Sequence, residues 1–258
     1  MRRLFPLFFC LTSALLGHPI QHKENSTSCN KENPEACIHS SQGWSFGIGG
    51  SYSWMSFSSS PNFSGSTGGL LGKVTYQTPN SFFGQARSYY NIGPLSSSVN
   101  KTSFQESYSE FVGGYCAALG GNWTMTPYAG LGFDFLFDDR TGYGSILPID
   151  LKYTLYYTVI GLETHYSRPD WTLGLQLDLL PTFNQYLKVG GLSGAAWTLK
   201  NRVGAEVQIP FAYRYFANYW LEISPYYRFF PLGSSSALGL PERNLDQWGA
   251  FVTFRFFL

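Results

Sequence analysis

The sequence predicts an all-β fold, a ten-stranded antiparallel up-and-down transmembrane β-barrel, and three observations support this prediction. Charged residues make up only 13% of the 258 residues and aromatic residues make up 18%, whereas soluble domains are usually about 25% charged. From residue 43 onward, large apolar side chains alternate with small or polar ones in ten runs, which is the pattern of strands with two different faces. The segments between these runs are alternately short and long.

Residues 1–17 have the pattern of a cleaved signal peptide. Arg2 and Arg3 precede an apolar stretch from Leu4 to Gly17, which is shorter than the roughly 20 residues of a membrane-spanning helix. No later stretch stays apolar for that length, so the sequence argues against a helical membrane protein. Residues 18–42 are polar and aperiodic, and we expect them to form a periplasmic N-terminal segment that precedes the barrel at 43–258.

The first five runs place bulky side chains on one face and Gly, Ser, Thr or charged residues on the other. The residues predicted to face outward are Trp44, Phe46, Ile48, Tyr52 and Trp54 in run one; Leu70, Val74 and Tyr76 in run two; Ala86 and Tyr90 in run three; Phe111, Tyr115, Ala117 and Leu119 in run four; and Met125, Leu131, Phe133, Phe135 and Phe137 in run five.

The last five runs continue this alternation, with one exception. Run six, from Tyr153 to Arg168, has an ambiguous phase that predicts a bulge near Val159. The outward residues of the other runs are Trp171, Leu173, Leu175, Leu177, Leu179 and Phe183 in run seven; Trp197, Leu199, Val203, Val207, Ile209 and Phe211 in run eight; Tyr219, Leu221, Ile223 and Tyr227 in run nine; and Ala250, Val252, Phe254, Phe256 and Leu258 in run ten.

The connections between the runs differ in length from one end of the predicted barrel to the other. Tight turns occur near Pro79, Gly121, Pro169 and Asn218. The long connections, rich in Ser, Gly and Asn, cover 58–67, 93–105, 138–148, 186–195 and 231–246. This asymmetry is typical of outer-membrane barrels, with short periplasmic turns and long extracellular loops. We expect the loops at 58–67 and 233–246 to be exposed for host or matrix contact.

These patterns resemble those of Gram-negative outer-membrane β-barrel proteins, and no specific family is identified. The last ten residues also resemble the C-terminal signal that the barrel-assembly machinery reads, through Gly249, Val252, Phe254, Phe256 and Leu258. Trp248 stands where that signal usually has a polar residue, and the last residue is Leu rather than Phe. The resemblance implies the outer membrane as location, with its lipid and the assembly machinery as partners.

Charged residues on the inward face form a predicted lumen network. They are Lys73, Arg87, Glu110, Asp134, Asp138, Asp178, Lys200, Arg202, Glu206, Glu222, Arg228 and Arg255. A ten-stranded barrel is narrow, because about eight strands enclose an interior that side chains just fill. The charges therefore form either a paired network that fills the interior or a narrow polar pore that admits small solutes.

Two weak patterns suggest hydrolase chemistry. Glu163, His165 and Ser167 resemble the His-x-Ser element of lipid A deacylases, in which a carboxylate, an imidazole and a hydroxyl build a serine nucleophile. That family's element lies just before its last strand, whereas four strands follow here. Asp138 and Asp139 resemble the acidic residues of the omptin proteases, but His165 is predicted at the opposite end of the barrel.

The cysteines and the net charge exclude several other classes of function. Cys29 and Cys37 are candidates for a disulfide in an oxidising periplasm, and Cys116 is left without a sequence-assigned partner. His22, Cys29, Cys37 and His39 match no zinc spacing, so we predict no metal and no cofactor. With a net charge of +1 and no basic aromatic patch, the sequence predicts no nucleic-acid partner. Pore, surface-contact barrel and membrane-embedded hydrolase remain as hypotheses.

Overall fold

A computed structural model describes residues 43–58, 62–78, 80–98, 100–140, 150–190, 196–216, 218–236 and 241–258. The predicted signal peptide, the segment 18–42 and the candidate disulfide between Cys29 and Cys37 lie outside the described residues. In the part of the chain that is described, no helix is long and apolar enough to cross a membrane.

The described residues form twelve strand segments. They are β1 (Gly43–Ser58), β2 (Phe63–Gln77), β3 (Ser81–Ser96), β4 (Lys101–Gly120), β5 (Trp123–Asp139), β6 (Asp150–Ser167), β7 (Trp171–Val189), β8 (Ala196–Thr198), β9 (Val203–Gln208), β10 (Phe211–Phe216), β11 (Tyr219–Leu232) and β12 (Arg243–Phe257).

The strand segments close into a barrel. Strands β1 to β7 pair antiparallel in sequence order, β11 pairs with β12, and β12 pairs with β1. Segments β8, β9 and β10 all pair with β7, while β9 and β10 also pair with β11, so the three segments follow one strand course. The predicted ten-stranded antiparallel up-and-down barrel is confirmed.

The polarity of the two faces of the sheet is the reverse of that in a soluble barrel: apolar side chains face outward, and small polar side chains face inward. In β1 the side chains of Trp44, Ile48 and Tyr52 are 51%, 68% and 59% exposed. Ser45 and Ser53 lie on the opposite face and are 3% and 0% exposed. An apolar outer face of this kind is expected where lipid replaces water as the surrounding medium.

The exposed apolar side chains form a band of limited height, here called the apolar belt. On β1 it covers 44–54, and on β12 it covers 248–258, close to the roughly 9–11 residues with which a tilted strand crosses a bilayer. Trp54 and Trp248 end the belt at the same height, because they are register partners. Beyond them lie Ser56 and Asp246.

Several strands continue past the apolar belt toward the end with the long connections. In β4 the outward positions change from Phe111, Tyr115 and Leu119 in the belt to polar residues farther up. These polar residues are Ser103, Gln105, Ser107 and Ser109. The predicted loops at 58–67 and 93–105 are therefore mostly strand, since β2 begins at Phe63 and β3 continues to Ser96. These segments were predicted as loops because they are rich in Ser and Gly. They form strands all the same, since strands pair through backbone hydrogen bonds, which do not require apolar side chains.

The bulge lies in a different strand from the one predicted. Tyr156 pairs with Asn184 and Tyr157 pairs with Thr182, which leaves Phe183 as the extra residue in β7. Phe183 is 54% exposed, and β6 keeps a single phase with Tyr157 and Val159 buried. A bulge in the partner strand accounts for the irregular pairing that the sequence suggested near Val159.

Residues between β8 and β9 also differ from the predicted alternation. Leu199 was expected to face outward with Val203, but it is only 4% exposed and packs in the interior. Its backbone N–H donates to the carbonyl of Gln185 at 2.8 Å, and that of Lys200 donates to the carbonyl of Ser234 at 3.1 Å. This detour of the chain turns Leu199 inward and moves the neighbouring charged residues toward the barrel end.

At the end of the barrel that carries the tight turns, here called the short-turn end, short connections join neighbouring strands. Gly120 and Gly121, between β4 and β5, have φ angles of 92° and 59°, which glycine adopts without strain. Asn80, between β2 and β3, has a φ of 51°, a conformation that Asn tolerates better than most residues. These turns hold the predicted periplasmic ends of neighbouring strands together.

Candidate functional site

The middle of the barrel interior holds a buried set of ion pairs, here called the ion layer. It consists of Arg87, Glu106, Glu110, Asp134, Asp178, Glu206 and Arg228, each no more than 4% exposed. The strands bring these residues together because all of them occupy inward positions, opposite to the exposed face of their strands. The layer crosses the interior at the position where a pore would have to pass.

Arg228, from β11, is the centre of the ion layer. Its Nε donates to Glu206 Oε2 at 2.5 Å, and its NH1 donates to Tyr89 Oη at 2.5 Å and to Glu106 Oε1 at 3.3 Å. Its guanidinium carbon lies 4.2 Å from the centre of the Tyr108 ring, within the range of a cation–π contact. Asp134 Oδ2 is 3.9 Å from NH1. Arg228 is itself 0% exposed.

Arg87, from β3, extends the layer across the interior. Its Nε lies 2.9 Å from Glu110 Oε1, and its NH2 lies 2.8 Å from Glu206 Oε1. Glu206 therefore bridges the two arginines. The Tyr89 and Tyr108 rings stack with their centres 4.7 Å apart beside this bridge. Each guanidinium group thus lies within ion-pair distance of a carboxylate, as buried charges require.

Neutral side chains donate hydrogen bonds to further carboxylate oxygens of the layer, whereas Asp134 Oδ1 has no hydrogen-bond partner among the described residues. Glu106 accepts hydrogen bonds from Tyr89 at 2.9 Å, Asn91 at 3.2 Å and Gln247 at 3.0 Å. Asp178 accepts from Tyr128 at 2.5 Å and from Gln176 at 2.7 Å. These bonds connect β3, β4 and β12 on one side and β5 and β7 on the other. The ion pairs Arg87–Glu206 and Arg228–Glu106 join β3 to β9 and β4 to β11 across the interior, so the layer links opposite walls of the barrel.

The interior on the long-loop side of the ion layer is apolar. Its buried side chains include Met55, Phe57, Phe63, Leu95, Phe104, Leu136, Leu155, Leu187, Phe230 and Leu245, which belong to one cluster. We call this cluster the upper core. A cavity between Tyr153, Leu199 and Arg243 measures only about 10 Å³, about the volume that one water needs. The buried side chains of the upper core thus pack against one another inside the half of the barrel that faces the predicted cell exterior.

The short-turn end of the interior is polar and partly open. Glu222 contacts Lys73 Nζ at 3.2 Å and Arg255 NH1 at 2.6 Å. Next to these three residues, a cavity of about 70 Å³ opens at the barrel mouth and is lined by residues that include Gln77, Cys116, His165, Ser167 and Arg255. Cys116 is buried and accepts a hydrogen bond from Gln77 Nε2 at 3.3 Å.

Of the weak hydrolase candidates, Glu163, His165 and Ser167 lie near this mouth, whereas Asp138 and Asp139 lie at the long-loop end. His165 Nε2 lies 2.8 Å from Glu163 Oε1. The other ring nitrogen faces the backbone of Gly174, since a Cβ placed there would lie 2.7 Å from His165 Nδ1. A serine nucleophile needs that nitrogen as its general base, so the arrangement of His165 leaves Ser167 without one.

Most residues of the predicted lumen network occupy the ion layer or the polar mouth, and three lie elsewhere. Asp138 pairs with Arg140 at 2.6 Å beside the long-loop end. Lys200 is exposed, and Arg202 binds Glu242 at the same end of the barrel. This hydrogen bond lowers the pKa of the Glu242 carboxyl. Lys200 and Arg202 therefore lie at the barrel end and not in the buried interior, because the chain leaves the regular strand between β8 and β9.

Sequence reasoning missed part of the ion layer. Glu106, Tyr89, Tyr108 and Gln247 were not predicted, although they supply its central hydrogen bonds. In β4 the inward residues Phe104, Glu106 and Tyr108 are larger than the outward serines. Alternation of large with small residues, whatever their polarity, would have extended run four over this part of β4.

The chain matches no protein-family model and no curated protein. Solved structures similar to it include the translocator domain of the autotransporter NalP from Neisseria meningitidis, with 9% identity, a TM-score of 0.42 and coverage of 81% of this chain and 88% of that one. Another is the P. putida toluene transporter TodX, with 9% identity, a TM-score of 0.38 and coverage of 88% and 92%. A third is Ail of Yersinia pestis, with 11% identity, a TM-score of 0.34 and coverage of 83% and 99%.

Proposed function

We propose that this protein is an outer-membrane β-barrel that does not conduct solutes and that presents its projecting strand ends at the cell surface as a structural or contact protein. The filled interior carries this proposal. The ion layer closes the middle of the barrel and the upper core closes its outer half. A narrow polar pore, the alternative, would need a continuous aqueous path through both.

The apolar belt supports the membrane location. Its upper edge has aromatic residues whose polar groups bond to neighbours: Tyr90 donates to Gln105 at 2.8 Å, and Tyr227 donates to Asp246 at 2.6 Å. At its lower edge, Trp44 pairs with Tyr76, and Trp123 pairs with Tyr166, with ring centres 5.1 Å apart in both pairs. Aromatic girdles at two heights are typical of membrane barrels, so we propose outer-membrane lipid as the partner of this surface.

The proposal also assigns an orientation and an assembly route. The short turns face the periplasm, and the projecting strands and long connections face outward. Gly249, Val252 and Phe254 lie on β12, the strand that closes the barrel against β1, and we propose that the barrel-assembly machinery reads this strand. In this orientation, contact with host or matrix ligands would involve residues 58–67 and 233–246.

Single cysteines test the location and the orientation together. Ser58 and Asp170 are exposed at opposite ends of the barrel, and each is replaced by Cys in a background where Cys29, Cys37 and Cys116 are Ser. A membrane-impermeant maleimide applied to intact cells should label Ser58→Cys. It should label Asp170→Cys only after the outer membrane is permeabilised. Recovery of the protein in the soluble fraction, or labelling of both positions on intact cells, would refute the proposal.

A further inference from the structure

A groove in the apolar belt lies on the outer surface of β1, β2 and β3, next to the short-turn end. We call it the rim groove. Its volume is about 550 Å³, and its outward-facing lining residues are Trp44, Val74, Tyr76, Phe82, Gly84 and Ala86. The groove is separate from the interior, because the only inward residue that borders it, Gln85, is 8% exposed and contacts Thr75.

Aromatic rings form the lower wall of the rim groove. The rings of Trp44 and Tyr76 have centres 5.1 Å apart, and those of Tyr76 and Phe82 have centres 6.5 Å apart. Trp44 and Phe82 are 51% and 58% exposed. The Trp44 indole and the Tyr76 hydroxyl provide polar tips beside the strand ends, where the glycerol esters of a phospholipid would lie in a bilayer.

Small residues form the floor of the groove and continue it toward the middle of the belt. Gly84 lies beneath the Phe82 ring, since a Cβ at Gly84 would be 3.0 Å from the nearest ring carbon. Gly72 pairs with Ser88 on β3, and a Cβ placed at Gly72 would meet nothing within 4 Å. The depression therefore has an aromatic end at the rim and an open end toward the centre of the membrane.

We infer that the rim groove binds an acyl chain of a phospholipid in the periplasmic leaflet, an inference that rests on the proposed membrane location. An empty depression in the belt would forfeit dispersion contacts, and a flexible hydrocarbon chain can restore them. A second copy of this chain fits less well, because a stable interface buries about 800 Å² on each partner and would have to extend far beyond the groove.

Native mass spectrometry tests the inference on the full-length mature protein, purified from membranes and titrated with palmitoyl-oleoyl phosphatidylethanolamine in detergent micelles. The variant Gly84→Leu and the second variant Ala86→Leu place a side chain on the groove floor. Displacing about two buried methylenes should weaken the one-to-one lipid complex about tenfold. Ala129→Leu is the matched control, because Ala129 is also exposed on the outer face but lies on β5. Heat-dependent gel migration verifies that each variant is folded.

The possible results of this experiment distinguish failure of the acyl-chain site from failure of the proposed membrane location. Lipid binding that is lost in both groove variants and kept in Ala129→Leu supports the acyl-chain site. Equal lipid binding in all folded variants overturns it, as does a dimer peak that the groove variants abolish. A protein that is absent from the membrane fraction would instead refute the membrane location itself.

Discussion

At the scale of single residues, Arg228 is the side chain on which the ion layer depends most. It reaches Glu206, Glu106 and Asp134 and stacks on Tyr108, all within the barrel. The layer holds more carboxylates than guanidinium groups, so no spare cation can replace it. Loss of one partner from a buried charge network costs more than the pairing itself contributes, because the remaining charges stay desolvated.

The variant Arg228→Ala is therefore expected to destabilise the folded barrel by about 3–5 kcal/mol. Urea titration of protein refolded in lipid vesicles, followed by tryptophan fluorescence, measures this change. Arg202→Ala is the matched control, because Arg202 pairs with Glu242 at the exposed long-loop end, and it should leave the urea midpoint unchanged. Equal midpoints for the two variants would show that the ion layer does not stabilise the barrel.

The sequence predicted which side chains face the interior for six of the seven residues of the ion layer. Arg87, Glu110, Asp134, Asp178, Glu206 and Arg228 were predicted to face the interior because each lies on the small-residue face of a recognisable strand. Glu106 was missed, since the part of β4 around it has polar residues on the outer face and no apolar alternation. The ion pairs within the layer could not be predicted from the sequence. Arg87 and Glu206, for example, are 119 residues apart, and only the closed barrel brings them together.

At the scale of elements, the seam between β1 and β12 determines whether the barrel closes. Gly249 pairs with Ser53 in this seam, and a Cβ at Gly249 would lie 2.1 Å from the carbonyl oxygen of Tyr52. A rigid backbone atom cannot move away as a flexible side chain can. Gly249 therefore has a packing role that is independent of any recognition by the assembly machinery.

We expect Gly249→Ala to destabilise the barrel by about 1–3 kcal/mol, the usual cost of overpacking. Gly72→Ala is the matched control, because a Cβ there meets nothing within 4 Å. The measurement is the folded fraction after refolding into lipid vesicles without the assembly machinery, read by heat-dependent gel migration. Normal refolding of Gly249→Ala combined with failed assembly in cells would show that Gly249 acts only as part of the signal.

Sequence patterns located the strands better than they located their ends. Bulky alternation identified β1, β7, β11 and β12, because each has a belt of apolar residues on one face. The strand portions beyond the belt, such as Ser64–Ser66 in β2, were predicted as loop, since Ser and Gly are common turn residues. The inward turn of Leu199 depends on hydrogen bonds to Gln185 and Ser234 by its own and the next backbone N–H, which no local pattern records.

At the scale of the whole molecule, we propose a barrel whose apolar surface faces lipid and whose interior is filled by side chains. The strand number and the inverted faces could be predicted, because both follow from the alternation along the chain. The upper core could not, because apolar residues near the strand ends were interpreted as lipid-facing or as loop. Phe104 and Leu95 lie in predicted loop, yet they are 0% and 1% exposed inside the barrel. These residues decide between a pore and a closed barrel.

Planar-bilayer recording of the refolded protein tests this central claim most directly. We predict that the wild-type barrel inserts and shows no discrete conductance steps, because buried side chains of the ion layer and the upper core occupy the interior that the described residues enclose. A wide porin inserted by the same procedure provides the positive control, and a vesicle flotation assay verifies insertion. Reproducible conductance steps from the wild-type protein would contradict the account and favour the narrow pore.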